Sequence, residues 1–139
     1  MSHKKINTFY TSLTVNRAGI LAWNSVPQVL IAAPAAGFIA IPIKVWAVYT
    51  YNAAVFAVNT TIRVYQNIAA PTMEQSGILT AGASASVDFL VKNSSAGTTN
   101  QYISATATMT DIATGDPTPG GGGATSSITL HCIYTLMPG

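Results

Sequence analysis

Residues 30–51 read LIAAPAAGFIAIPIKVWAVYTY, and the whole run from Ala18 to Ile43 carries no charge. A stretch this apolar is either a membrane span or the core strand of a β-fold, and its periodicity separates the two. From residue 39 the odd positions are Ile39, Ile41, Ile43, Val45, Ala47, Tyr49 and Tyr51, and the even ones are Ala40, Pro42, Lys44, Trp46, Val48 and Thr50. The repeat is two, the period of a strand, and β-branched residues fill the odd face. A spanning helix needs about 20 apolar residues and would have to absorb Pro27, Pro34, Gly37 and Pro42 before meeting Lys44. The stretch therefore reads as two strands joined by a turn at Pro34–Gly37, with the odd side of the second strand facing the core.

The same alternation recurs downstream. In VFAVNTTIRVY, Phe56, Val58, Ile62 and Val64 share a face opposite Asn59, Thr61 and Arg63. In SVDFLVK, Val87, Phe89 and Val91 oppose Asp88 and Lys92. In YISATATMT, Ile103, Ala105, Ala107 and Met109 oppose Ser104, Thr106, Thr108 and Thr110. In SSITLHCIYTLM, Ile128, Leu130, Cys132, Tyr134 and Leu136 oppose Thr129, His131 and Thr135. One apolar and one wetter face per segment is the mark of antiparallel sheets. No helical stripe is evident, although Pro71–Gly77 suits a single helical turn. The expected fold is all-β: an antiparallel β-sandwich of jelly-roll type with about eight strands. Residues 1–12 are expected to be an N-terminal arm and residues 13–139 one sandwich domain, a length that supports its own core.

Composition narrows the function. Charged residues make up 7% of the chain against roughly 25% in ordinary soluble domains. Six scattered basic residues and four acidic ones leave a net charge of +2, so no basic face for nucleic acid is expected. A surface this poor in charge offers little repulsion between copies, which points to coverage by other subunits. The segment MSHKKINTFYTS has lysines without a following apolar core, so it does not read as a secretory leader.

Chemical groupings are sparse. The acidic set is Glu74, Asp88, Asp111 and Asp116, read as solvated side chains rather than an acid–base pair. His131 and Cys132 are adjacent and so point to opposite strand faces, which excludes joint metal ligation. Cys132, the single cysteine, reads as a small buried hydrophobe. PTPGGGGATSS lacks the Gly-Lys-Ser/Thr and the following helix of a phosphate-binding loop, and reads as a hairpin connection. No enzyme activity, metal or cofactor is expected. Trp23, Trp46, Tyr49, Tyr51, Tyr65 and Tyr102 are compatible with core packing, a subunit interface or a carbohydrate platform. Trp46 stands out because it falls on the lighter face beside Lys44 and Val48.

Three pieces in order carry a resemblance: ILAWNSVPQVLIAAPAAGFIAI, a Tyr- and Ala-rich pair of strands in the middle, and GDPTPGGGGATSSITLHCIYTLM at the end. From about Ile20 to Met137 the chain resembles small jelly-roll structural proteins of tailed bacteriophages, both capsid decoration (cement) proteins and tail-fibre or spike modules. Their turn more often reads A-P-G-A-G-K; here Ala35 and Phe38 replace the first Gly and the Lys. The resemblance implies a non-enzymatic virion protein, usually a trimer, without cofactor. It would be made in the host cytoplasm and located on the capsid exterior, with itself and the major capsid protein as partners and neither nucleic acid nor membrane. On this reading Lys4, Lys5, Phe9 and Tyr10 are the expected capsid contacts, and Trp46, Val48, Tyr49 and Tyr51 the expected subunit interface. The alternative is a tail-fibre or spike module that binds a host-surface glycan.

Overall fold

The computed structural model describes residues 8–52, 55–65, 71–91, 101–106, 117, 118 and 126–138. Its strands are β1 (Thr8–Val15), β2 (Gln28–Ile31), β3 (Phe38–Thr50), β4 (Thr61–Tyr65), β5 (Pro71–Gln75), β6 (Ala85–Asp88), β7 (Leu90–Val91), β8 (Gln101–Thr106) and β9 (Ser127–Pro138). They form two antiparallel sheets, ordered β1-β9-β3-β6 and β2-β8-β4-β5-β7. The first strand pairs with the last, β2 with β8, β3 with β6 and β4 with β5. Those nested pairs are one long hairpin rolled up on itself, the jelly-roll topology, and the two-residue β7 is an addition to its eight strands.

The core lies between the sheets. Leu30, Val45, Ala47, Tyr49, Ile62, Val64, Ile103, Ile128, Leu130 and Cys132 are buried there. A five-residue helix, α1 (Arg17–Leu21), follows β1 and closes one end. Asn16 caps it by accepting from the Gly19 amide at 2.9 Å. At Gly19 a Cβ would stand 2.8 Å from Val15 Cγ1, so only glycine lets the helix fold this tightly against β1. Trp23, just beyond, is fully buried and donates its indole N–H to the Ile103 carbonyl at 2.9 Å. At the Pro34–Gly37 turn Gly37 adopts φ +88°, a conformation that a side chain would strain.

Several expectations need correction. The first strand begins at Thr8, so residues 8–12 of the expected arm are sheet, paired in unbroken register with β9. Pro71–Gln75 is a strand rather than a helical turn; the local turns are α1 and a 3₁₀ turn at Ile78–Thr80. VFAVNTTIRVY is not one strand, because Asn59 takes φ 59° and breaks it before Thr61. SVDFLVK splits at Phe89, whose amide donates to the Val45 carbonyl at 2.9 Å; the chain then leaves one sheet for the other.

The decisive strand, β3, does not keep one face inward. Its register against β9 shifts between Pro42 and Lys44, which leaves Ile43 as a β-bulge. Before the bulge the buried positions are Ala40 and Pro42; after it they are Val45, Ala47 and Tyr49. Ile39 and Ile41 therefore sit on the outer face and Ile43 is exposed. Pro42 is tolerated because β6 pairs only with Trp46–Tyr49, which leaves this half of β3 without a neighbour on that side among the described residues.

Candidate assembly surface

The outer face of the β1-β9-β3-β6 sheet brings together three of the sequence-selected residues, Tyr10, Trp46 and Val48. Residues directly opposite in antiparallel strands share a face. The register pairs Tyr10 with Ile133 and Ile133 with Lys44; it also pairs His131 with Trp46 and Trp46 with Asp88. All of these point outward, with Ile39, Ile41, Val48 and Met137 on the same side.

At the centre three rings crowd together. Trp46 and His131 stack with centroids 5.0 Å apart and planes 14° from parallel. Tyr10 lies 5.9 Å from His131 and 6.3 Å from Trp46. These distances make a near-equilateral triangle, so the rings overlap like shingles and do not form a column. The Tyr10 hydroxyl stands 2.5 Å from His131 Nδ1 and donates to it when that nitrogen is unprotonated. Lys44 reaches over Trp46, its Nζ 5.5 Å from the ring centroid, and pairs with Asp88 at 3.6 Å. Tyr10 keeps 58% of its surface, and the Lys44 and Asp88 side chains keep 54% and 71%. The patch is thus open to solvent, aromatic at its centre and neutral in charge.

The remaining expected contacts divide. Val48 is exposed on this face. Tyr49 is not an interface residue: it shares the parity of Val45 and Ala47 and is fully buried in the core. Tyr51 is half-buried and packs against the core cluster. Phe9 sits on the inward row of the edge strand, stacked on Tyr134 at 5.5 Å. Lys4 and Lys5 lie outside the described residues.

His131 was legible only as a wet-face residue; its place in the patch depends on the β1–β9 pairing, which local sequence does not announce. The outward row of β4 also departs from expectation. Arg63 and Glu74, read as solvated, are both buried and stand opposite each other in register. The Arg63 guanidinium lies 4.5 Å over the Tyr65 ring, which stacks on Tyr102 at 5.8 Å.

Cys132 is buried in the core, and that burial pushes its thiol from 9.0 up to about 12, so at neutral pH it stays protonated and unreactive. Among the described residues no three His, Cys, Asp or Glu side chains are grouped to hold a metal ion, and no helix is long and apolar enough to cross a membrane. Neither a known family model nor any curated protein matches the chain.

Proposed function

We propose that the chain is a structural protein of a phage virion: a decoration protein that binds the outer surface of the head as a homotrimer and clamps neighbouring shell subunits. The observation that carries this reading is the open outer face of the β1-β9-β3-β6 sheet. It sets Tyr10, Ile39, Ile41, Trp46, Val48, Ile133 and Met137 against a single ion pair. With strands rising about 3.3 Å per residue and spaced about 4.8 Å apart, β3 and β9 run roughly 40 Å and four strands span about 19 Å. Allowing for the shorter β1 and β6, the face covers on the order of 600 Å². That is comparable with the ~800 Å² each partner contributes to a standard interface. Aromatic side chains near the centre of such a face are also the residues enriched in interface hot spots.

The mechanism is mass action. A protein that binds the assembled lattice and not free shell subunits stabilises the lattice by its binding free energy. Three linked copies multiply weak contacts through avidity. The jelly-roll fold and the resemblance from Ile20 to Met137 support this reading.

One observation favours a second reading, a glycan-binding fibre module: the shingled rings border a Lys44–Asp88 pair, and an aromatic surface beside hydrogen-bonding groups suits a sugar ring. Native mass spectrometry and quantitative proteomics of the virion separate the two. The decoration reading expects a trimer present in hundreds of copies per particle, with Trp46→Ala and Val48→Asp giving folded monomers. A monomer that binds glycans and occurs in a few copies at the tail would overturn it.

A further inference from the structure

Imidazole is the side chain whose charge ordinarily changes between pH 5 and 8. His131 is the only histidine among the described residues, and it stands in the middle of the aromatic patch. In register it lies between Ser12 of β1 and Trp46 of β3. Its ring stacks on Trp46 and its Nδ1 meets the Tyr10 hydroxyl, so a change in its protonation reaches both neighbours. Few other groups face it. β1 contributes the Tyr10 phenol, β3 contributes Lys44 and β6 contributes Asp88; β9 itself places only Thr129 and Ile133 beside His131 on this face. Lys44 and Asp88 already pair with each other at 3.6 Å. A proton on His131 therefore takes the patch from neutral to a net positive charge, and among the described residues no second carboxylate faces it.

Two changes accompany that proton. Nδ1 turns from acceptor to donor, so the Tyr10 hydroxyl must accept from it and direct its own hydrogen elsewhere. The imidazolium also joins Lys44 as a second cation against the Trp46 ring. On an open face both changes are tolerated, because water screens the two cations and an indole face attracts a cation. Under a partner they are costly: the charge loses its water, and the displaced hydroxyl hydrogen needs a new acceptor.

We propose that His131 is a pH switch for this face, permitting assembly through the patch when neutral and opposing it when protonated. The proposal rests on the assembly reading above and adds its regulation. Covering the face expels the proton, so association is at full strength above the imidazole range and weakens as pH falls through it. Lys44 and Asp88 keep their charges throughout that range and do not reverse the sign.

The test uses the full chain and His131→Gln, whose amide can still bond Tyr10 but carries no charge at any pH. Self-association is measured by analytical ultracentrifugation, and binding to heads stripped of this protein by co-sedimentation, each at pH 7.5 and pH 5.5. The parent is expected to associate about tenfold more weakly, or worse, at the lower pH. The ratio for His131→Gln, whatever its affinity, is expected to stay within about twofold. Calorimetry of the parent near pH 6.5 supplies a readout that needs no variant: the heat of association should vary with the ionisation enthalpy of the buffer in the direction of proton release. Association that is equally tight at both pH values, without proton release, overturns the switch and leaves the assembly reading standing. A loss at pH 5.5 that persists in His131→Gln assigns it to another group and also overturns the switch. A parent that neither self-associates nor binds heads at pH 7.5 overturns the assembly reading and the switch with it.

Discussion

The buried thiol of Cys132 makes a quantitative prediction about alkaline stability. Below pH 9.0 the thiol is protonated whether the chain is folded or not, so it contributes nothing to the pH dependence. Above that value the unfolded chain releases the proton, while the folded chain, with its thiol held up to about 12 by burial, retains it. The unfolded state then binds fewer protons, and stability falls as pH rises. Each pH unit in this window removes about 1.4 kcal/mol, so the thiol alone costs about 2 kcal/mol by pH 10.5. Cys132→Ala removes that titration and leaves a small cavity worth about 1–2 kcal/mol at pH 7. The parent should therefore be the more stable protein at pH 7, and the two should become equal at about pH 10 to 10.5. Guanidinium chloride unfolding followed by tryptophan fluorescence, with a reductant present, measures both across this range. A gap that stays constant from neutral pH to 10.5 would refute a thiol held protonated by the core.

Three further outcomes test the fold. Trp23→Phe removes the buried indole N–H bond to the Ile103 carbonyl and should destabilise by about 1–3 kcal/mol in a denaturant titration. The Tyr49 hydroxyl is buried without a hydrogen-bond partner among the described residues, so Tyr49→Phe should leave stability unchanged or raise it by up to about 1 kcal/mol; a clear loss by calorimetry would reveal an essential hydroxyl. Deleting Ile43 should leave a folded protein by circular dichroism, because Pro42 and Lys44 already pair with consecutive residues of β9 and no side chain changes face; deleting Val45 should destabilise it far more, because closing the bulge to absorb the loss moves Lys44 into the buried position opposite Cys132.

Period-two patterning was sufficient to read β3 and β9, because each has one face that must be apolar. It failed where both faces are apolar. Ile39, Ile41 and Ile43 look like a continuation of Val45, Ala47 and Tyr49, and nothing in alternation reveals that Ile43 is an extra residue that exchanges the faces. Alternation itself placed Tyr49 on the core side with Val45 and Ala47, so its assignment to the interface did not follow from the pattern. Trp46 was recoverable from its position on the lighter face. Tyr10 was selected only as a contact of the N-terminal arm, and its place in the patch was not legible, because its neighbour His131 is 121 residues away in sequence and only the pairing of first and last strands brings them together. The buried Arg63 and Glu74 lie on the row of β4 and β5 that alternation marks as wet.

On the proposed reading, that long-range pairing also links folding to assembly. Trp46 lies on β3 and His131 on β9, but the third ring of the patch comes from β1, which meets β9 only when the two ends of the jelly roll close. Contacts between distant segments carry a large loop-closure entropy, so they form late and at the cost of slow folding. A chain with β1 undocked lacks Tyr10 in the patch. The aromatic face argued above therefore exists only in the fully closed sandwich. On this account assembly selects closed chains. Refolding kinetics can measure the order of events: oligomer formation should trail the quenching of Trp46 by its neighbours and never precede it.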